Sequence, residues 1–321
     1  MNTMIRQLSY IIPNEEPKSE KQIKADRLVT DNEYNLICEC SQIIEKFNMF
    51  CDYYYMLEKS FDETLSYLTI VESRNYKLKN QMEKHIMITE TNRLFMGTLN
   101  MFYNYASYYL NDIIDLFDKG SEEYNKLKAA QSKCFDNNFE YRLLYGLRNY
   151  TDHGKLPITI VIDNAKNAVR CFFISKYELR KCKKFNQNLK NDIKKLTDNI
   201  NVKDILVKAR KMMFELHREI SLIDEHNVLF SYTYLKKYLK RDAFPCIVSY
   251  KSQQALNKGQ FEISPLFDEL QLVGYNIRKM GFGAIASFKK GEGFYCYDPY
   301  NIMFTKEQKE KLKLEWYNLM L

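Results

Sequence analysis

The residues best suited to chemistry are Arg148-Asn149-Tyr150-Thr151-Asp152-His153, which run into Gly154 and Pro157. A guanidinium holds a phosphate through paired N–H groups, and an imidazole titrates near neutrality, where it can take the proton of a ribose hydroxyl. Those two groups, with a polar residue (Asn149) after the arginine, are a minimal set for cutting RNA without a metal. The 2′-oxygen attacks the adjacent phosphorus and leaves a 2′,3′-cyclic phosphate.

Spacing alone is weak support. With twelve arginines and four histidines, about half an R-x4-6-H match is expected by chance in a chain of this length. A second copy, Arg210 and His217, lies inside a periodic helical stretch beside Lys211, Glu215 and Glu219. It reads as structural or solvated. The first copy closes a helix-like stretch, Asn138 to Leu147, just before two helix-breaking residues. On a straight helix, five residues turn about 500°, so Arg148 and His153 would sit roughly 140° apart. A break at Gly154 frees His153 to swing back, or a second copy across a two-fold axis completes the site. Two plainer roles stay open. Arg148 and Asp152 are i,i+4 neighbours and suit a surface ion pair worth about 0.3–0.5 kcal/mol. His153 in the last turn would also favour the negative end of the helix dipole.

The elements that must carry this motif are mostly helices. Apolar residues make up 45% of 321 residues and aromatics 14%, enough for a core, and no proline stands between Pro17 and Pro157. Residues 1–29 hold two prolines and many charges and read as an irregular arm. From 30 to 226 the pattern is helical. Asp31 or Asn32 offers an N-cap to a stripe of Ile37, Cys40, Ile44, Phe47, Cys51 and Tyr54. Phe95, Leu99, Phe102, Ala106, Tyr109, Ile113 and Leu116 keep a strict 4-3 alternation that stops near Asp118-Lys119-Gly120, with the glycine as C-terminal cap. The motif helix presents Phe139, Leu143, Leu147 and Tyr150 as its packing face. Ile158 to Ile162 predicts an edge strand or extended crossover. Val202, Leu206, Ala209, Met213, Leu216 and Ile220 form another stripe, opened by Asn201 with Asp204 three residues on. Six of the ten glycines lie at Gly259 or later, among alternating runs such as Cys246–Tyr250 and Ala284–Phe288. Residues 227–321 therefore read as a smaller α+β region, closed by a helix near Lys306–Leu319.

Charge and cysteine usage narrow the classes further. Between Lys176 and Lys195, eight lysines and arginines face only Glu178 and Asp192. This patch, with Arg180, Lys181, Lys183 and Lys184, could track a phosphate backbone or be a solvated helix face. Lys155 adds a cation beside the motif, and Tyr145 and Tyr150 are candidate platforms for unstacked bases. The eight cysteines form no C-x-x-C pair, which suits free thiols in a reducing cytosol. His217, Glu219, Asp224, Glu225 and His226 are metal-capable in type but irregular in spacing, so no metal site is expected. No phosphate-cradling glycine loop, H-E-x-x-H helix or G-x-S-x-G elbow occurs, and no cofactor is implied. The apolar run Leu94 to Leu110 carries Thr98, Asn100, Asn104 and Ser107 and falls short of roughly 20 residues, which suits a buried helix rather than a membrane span. A cytoplasmic protein is expected.

The string Phe139-Glu140-Tyr141-Arg142-Leu143-Leu144-Tyr145-Gly146-Leu147-Arg148-Asn149-Tyr150, with His153 and Pro157, resembles the signature of an uncharacterised bacterial group in the HEPN superfamily (higher eukaryotes and prokaryotes nucleotide-binding). Glu90-Thr91-Asn92-Arg93-Leu94-Phe95 is similar to the start of that superfamily's second long helix. The resemblance covers roughly Asp31 to Asp224. It implies a mainly α fold, an antiparallel helical bundle in which arginine and histidine line a cleft at a homodimer interface. It also implies a metal-independent endoribonuclease acting on single-stranded or tRNA-like RNA, of the sort found in toxin–antitoxin and antiviral defence systems, with an antitoxin or regulatory protein as partner. Carried over by position, Arg148 and His153 are the catalytic pair, Asn149 is the polar residue beside the arginine, and Glu90 is a supporting acid. Other members of the superfamily bind nucleotides or a protein without cutting.

Overall fold

The computed structural model describes residues 4–12, 22–73, 76–115, 117–151, 156–238 and 244–265, with Asn276, Ile277 and Met280. Residues 1–29 are not simply an irregular arm, because they hold two antiparallel strands, β1 (Ile5–Ile12) and β2 (Gln22–Leu28). Leu8, Ser9 and Tyr10 are all buried, whereas β2 carries Lys24, Asp26 and Arg27 and is exposed, as an edge strand tends to be. The strand that gives β1 its second partner lies more than two hundred residues downstream, so local composition hid it.

Helix α1 (Asp31–Ser73) follows, 43 residues long. Its cap is Thr30, whose Oγ1 accepts the Glu33 N–H at 3.2 Å, one residue before the expected position. All six stripe residues from Ile37 to Tyr54 are buried. Helix α2 (Gln81–Asn104) is capped by Asn80, whose Oδ1 accepts the Glu83 N–H. It does not continue as the regular helix that the 4-3 spacing predicts. A π-helical turn at Tyr105–Tyr109 intervenes before α3 (Leu110–Ile114). The wider turn shifts the register by one residue, about 100° around the axis. The buried set becomes Tyr105, Ala106, Leu110, Ile113 and Ile114, and Tyr108 faces solvent. Gly120 does adopt a positive φ of 95°, but in the turn leading to Ser121, the N-cap of α4 (Glu122–Asn137), rather than as the cap of α3.

The motif helix is α5 (Phe139–Thr151). Beyond it, β3 (Ile158–Asp163) and β4 (Ala168–Ile174) form an antiparallel pair, followed by α6 (Lys176–Arg180), α7 (Gln187–Lys195) and the short β5 (Ile200–Asn201). The sheet order β3-β4-β5 makes β3 an edge, as its sequence suggested. Helix α8 (Val202–Ile223) buries the whole predicted stripe, and Asn201 Oδ1 accepts the Asp204 N–H at 3.1 Å. The chain continues through α9 (Glu225–Lys236), β6 (Phe244–Tyr250), α10 (Gln253–Asn257) and β7 (Glu262–Pro265).

The protein is mainly helical with small antiparallel sheets, and its contacts divide it into two units. One is Phe50–Ile223; the other combines residues up to Met49 with those from Asp224 onward. The division falls inside α1, between Met49 and Phe50, and between Ile223 and Asp224. In the second unit, β2-β1-β6-β7 form one antiparallel sheet with Ile5 opposite Tyr250 and Ile11 opposite Phe244. Cys246, Val248 and Tyr250 pack with Ile11, Leu256 and Phe261 on it. The run Ala284–Phe288 and the closing helix near Lys306–Leu319 lie outside the described residues.

Candidate nucleic-acid site

Helix α5 is held on three sides within the Phe50–Ile223 unit. Leu143, Leu147 and Tyr150 are buried, and Tyr141 meets Phe102 of α2 edge-on at 5.1 Å. Arg142 donates to the carbonyls of Phe135 (2.7 Å) and Asp136 (2.5 Å) at the end of α4, and pairs with Asp192 of α7 at 2.8 Å. That use of Asp192 takes one of only two acids out of the basic stretch. At Gly146 the side chains of Leu189 and Phe185 come so close that a Cβ would stand 2.4 Å from Leu189. The glycine is required here for close approach rather than for an unusual φ.

Arg148 stands in the last turns of this fixed helix, half-buried, with its guanidinium carbon 4.5 Å from the centre of the Tyr103 ring. A cation over an aromatic face is held there electrostatically. Tyr103 also packs against Tyr145 at 5.0 Å and Tyr108 at 6.0 Å. These three rings, with Tyr141, Asn111 and Gln131, line an open pocket of about 700 Å³. The π-helical turn builds one wall. Gln131 donates its amide to the Ala106 carbonyl at 3.0 Å, Asn111 donates to the Ser107 carbonyl at 2.5 Å, and Lys128 Nζ donates to Asn111 Oδ1 at 3.0 Å. Partial burial raises the Tyr145 hydroxyl above the usual phenol range, opposed by its contact with Ser107.

The other sequence-derived residues divide. Asn149 is exposed next to Arg148. His153, Gly154 and Lys155 lie outside the described residues, as does the helix break expected at Gly154. Tyr150 is not a base platform: it is buried against Phe185, with ring centres 6.3 Å apart, and burial raises its hydroxyl pKa. Its i+3 and i+7 relation to Leu147 and Leu143 puts it on the core face. Glu90 is not brought to the Arg148 guanidinium. Its carboxylate takes both Arg93 Nε (2.8 Å) and a terminal nitrogen (2.6 Å), which holds its pKa below the usual carboxylate range. It also stands thirteen residues before Tyr103 on α2, about 20 Å along the axis.

In the basic stretch, Arg180 donates to the carbonyls of Lys194 (3.1 Å) and Leu196 (3.2 Å), so it caps α7 rather than facing solvent alone. Lys181 pairs with Glu178 at 2.8 Å and covers Tyr177. Lys183 and Lys184 are exposed.

One residue near the motif was missed by sequence reasoning. Asn92 is buried on α2 and treats Ile158 as a neighbouring strand would. Its Oδ1 accepts the Ile158 N–H at 3.1 Å and its Nδ2 donates to the Ile158 carbonyl at 3.0 Å. It thereby fixes the far end of the segment that begins at Thr151. At the near end, Thr151 Oγ1 donates to the Arg148 carbonyl at 2.8 Å. A buried asparagine in a helix was the available signal. For Tyr103 and Tyr108, it was the density of tyrosine where the 4-3 spacing runs on.

The second Arg/His pair is structural. Arg210 holds Asp62 at 2.8 Å and Glu58 at 3.6 Å, and His217 is fully buried. Its ring stacks on Tyr54 at 4.2 Å, and Nδ1 meets the Tyr105 hydroxyl at 2.6 Å. Among the described residues, no three His, Cys, Asp or Glu side chains group as metal ligands. None of the seven described cysteines is in a disulfide, and burial pushes the Cys134 thiol up to about 12. No helix among the described residues is long and apolar enough to cross a membrane.

No family model matches the chain, and no curated protein or solved structure is significantly similar to it.

Proposed function

We propose that the protein is a metal-independent endoribonuclease that works at the C-terminal end of α5. The observation that carries this reading is the Arg148 guanidinium, seated over Tyr103 beside an aromatic and polar pocket and five positions before His153. Arg148 holds the non-bridging oxygens of the scissile phosphate as charge builds on them. His153 removes the proton of the 2′-hydroxyl, whose oxygen attacks phosphorus and expels the 5′-oxygen. The products are a 2′,3′-cyclic phosphate and a 5′-hydroxyl. A homodimer supplies a second histidine to protonate the leaving oxygen. Lys183 and Lys184 contribute to backbone attraction, and the cellular setting is a cytoplasmic toxin or antiphage effector held by an antitoxin or regulator.

The test is cleavage of labelled RNA in EDTA, with the ends identified. His153→Ala should lower the rate by at least about 10², the low end of general acid–base effects. Full activity in that variant would end the nuclease reading. A second reading, nucleotide binding without cleavage, is favoured by the pocket itself, whose rings and amides need no histidine to hold a base. Intact RNA after incubation with wild-type protein, alongside measurable binding, would select it.

A further inference from the structure

We propose that the pocket walled by the π-helical turn is a single-base site, in which one unstacked base of a bound RNA lies against Tyr108 and Tyr145 while Arg148 holds a neighbouring phosphate. The site takes a nucleobase, and its placement rests on the ribonuclease reading only for the identity of that phosphate.

Several independent features converge on this ligand. A volume of about 700 Å³ admits a nucleotide and lies within the usual range for ligand pockets. Its aromatic lining is Tyr103 at the end of α2, Tyr108 in the π-helical turn, Tyr141 and Tyr145 on α5, and Phe135 on α4. Tyr108 is 56% exposed, although it stands between buried Tyr105 and Leu110. The π-helical turn carries both Ser107 and Tyr108, and both line the pocket. Side-chain amides then tie the turn down, through Gln131 to Ala106 and Asn111 to Ser107. A π-helical turn costs helix geometry and is found most often where it serves a site.

The polar groups suit a base edge better than a sugar or a lipid tail. Asn111 and Gln131 keep amide N–H or carbonyl capacity beyond the bonds above, and Asp136 adds a carboxylate at the wall. Cations stand at two places, Arg148 over Tyr103 and Lys128 on Asn111. An aromatic floor with flanking cations is the arrangement that holds single-stranded nucleic acid, with stacking on the base and charge on the backbone.

The experiment uses the full chain and a hexamer of uridines with one central 2-aminopurine, 2′-O-methylated throughout so that no internal nucleophile exists. Binding should quench the 2-aminopurine as it stacks. Tyr108→Ala should remove the quench and weaken binding at least about fivefold. Tyr108→Phe, which keeps the ring, should preserve both. Binding without quench, an unaltered Tyr108→Ala titration, or no binding at all would overturn the site. Cleavage of unmodified RNA is scored separately. Quench without cleavage keeps the base site and removes the nuclease, whereas cleavage without quench does the reverse. His153→Ala should leave the quench unchanged.

Discussion

The Arg148 and Arg210 neighbourhoods start from the same residue types and end in opposite states. Arg210 is held by Glu58 and Asp62, and its histidine, His217, is sealed among Phe50, Tyr54 and Tyr105. Arg148 instead spreads over a tyrosine whose other neighbours line an open pocket. Partners on adjacent elements, more than spacing along the chain, decide what surrounds a guanidinium. An ion pair with carboxylates uses the N–H fork that a phosphate would need.

That contrast can be broken by mutating each side. The largest effect is expected from Arg148→Ala, which should lower RNA cleavage about 10²–10³-fold, the usual consequence of removing a donor to a developing oxyanion. Arg210→Ala should leave the rate per folded molecule within about twofold. Equal losses in a gel assay would erase the distinction. His217→Ala should act on stability instead. Emptying a fully buried ring site and stranding the Tyr105 hydroxyl should cost about 3 kcal/mol in denaturant unfolding. A loss below about 1 kcal/mol would mean that the aromatic cage is not a packed core.

A smaller effect sharpens the Arg148 side. Asn92→Ala leaves both backbone groups of Ile158 without their side-chain partners, at about 1–3 kcal/mol. Hydrogen exchange at the Ile158 amide should quicken while α8 amides stay protected. The smallest effect lies in the other unit. Arg27 and the Tyr238 hydroxyl bind Glu33, and the Arg27 hydrogen bond is the main reason its carboxyl pKa is lowered to about 2. Because the folded value is depressed, the contribution is present above about pH 4.5 and is lost as pH falls toward 2. Acid unfolding should therefore shift less in Glu33→Gln than in wild type over that window, and a pH-independent difference would contradict the pairing.

Much of the helical scaffold was legible in the sequence. The stripes of α1 and α8 and the Asn201 cap depend on near neighbours, and each is where spacing put it. What failed depended on distant partners or on one extra residue. β1 looked irregular because its sheet partner β6 is remote in the chain. The run from Phe95 to Ile113 kept a perfect 4-3 pattern, yet the π-helical turn changed which later positions are buried. Tyr150 was misassigned because tyrosine suits both a core and a base platform, and only the approach of Phe185 separates the two. Glu90 carried the right charge but has Arg93 one turn away.

The pairing of β1 with β6 also sets an order of events during synthesis. β1 leaves the ribosome before β6, and its edge must wait for some two hundred and thirty further residues before Phe244–Tyr250 arrives. At about 5–20 residues per second, that is a delay of more than ten seconds. Meanwhile the intervening Phe50–Ile223 segment forms a unit with its own internal contacts. A nascent chain stalled short of Phe244 would display an unpaired edge of β1, a template for pairing with a neighbouring chain.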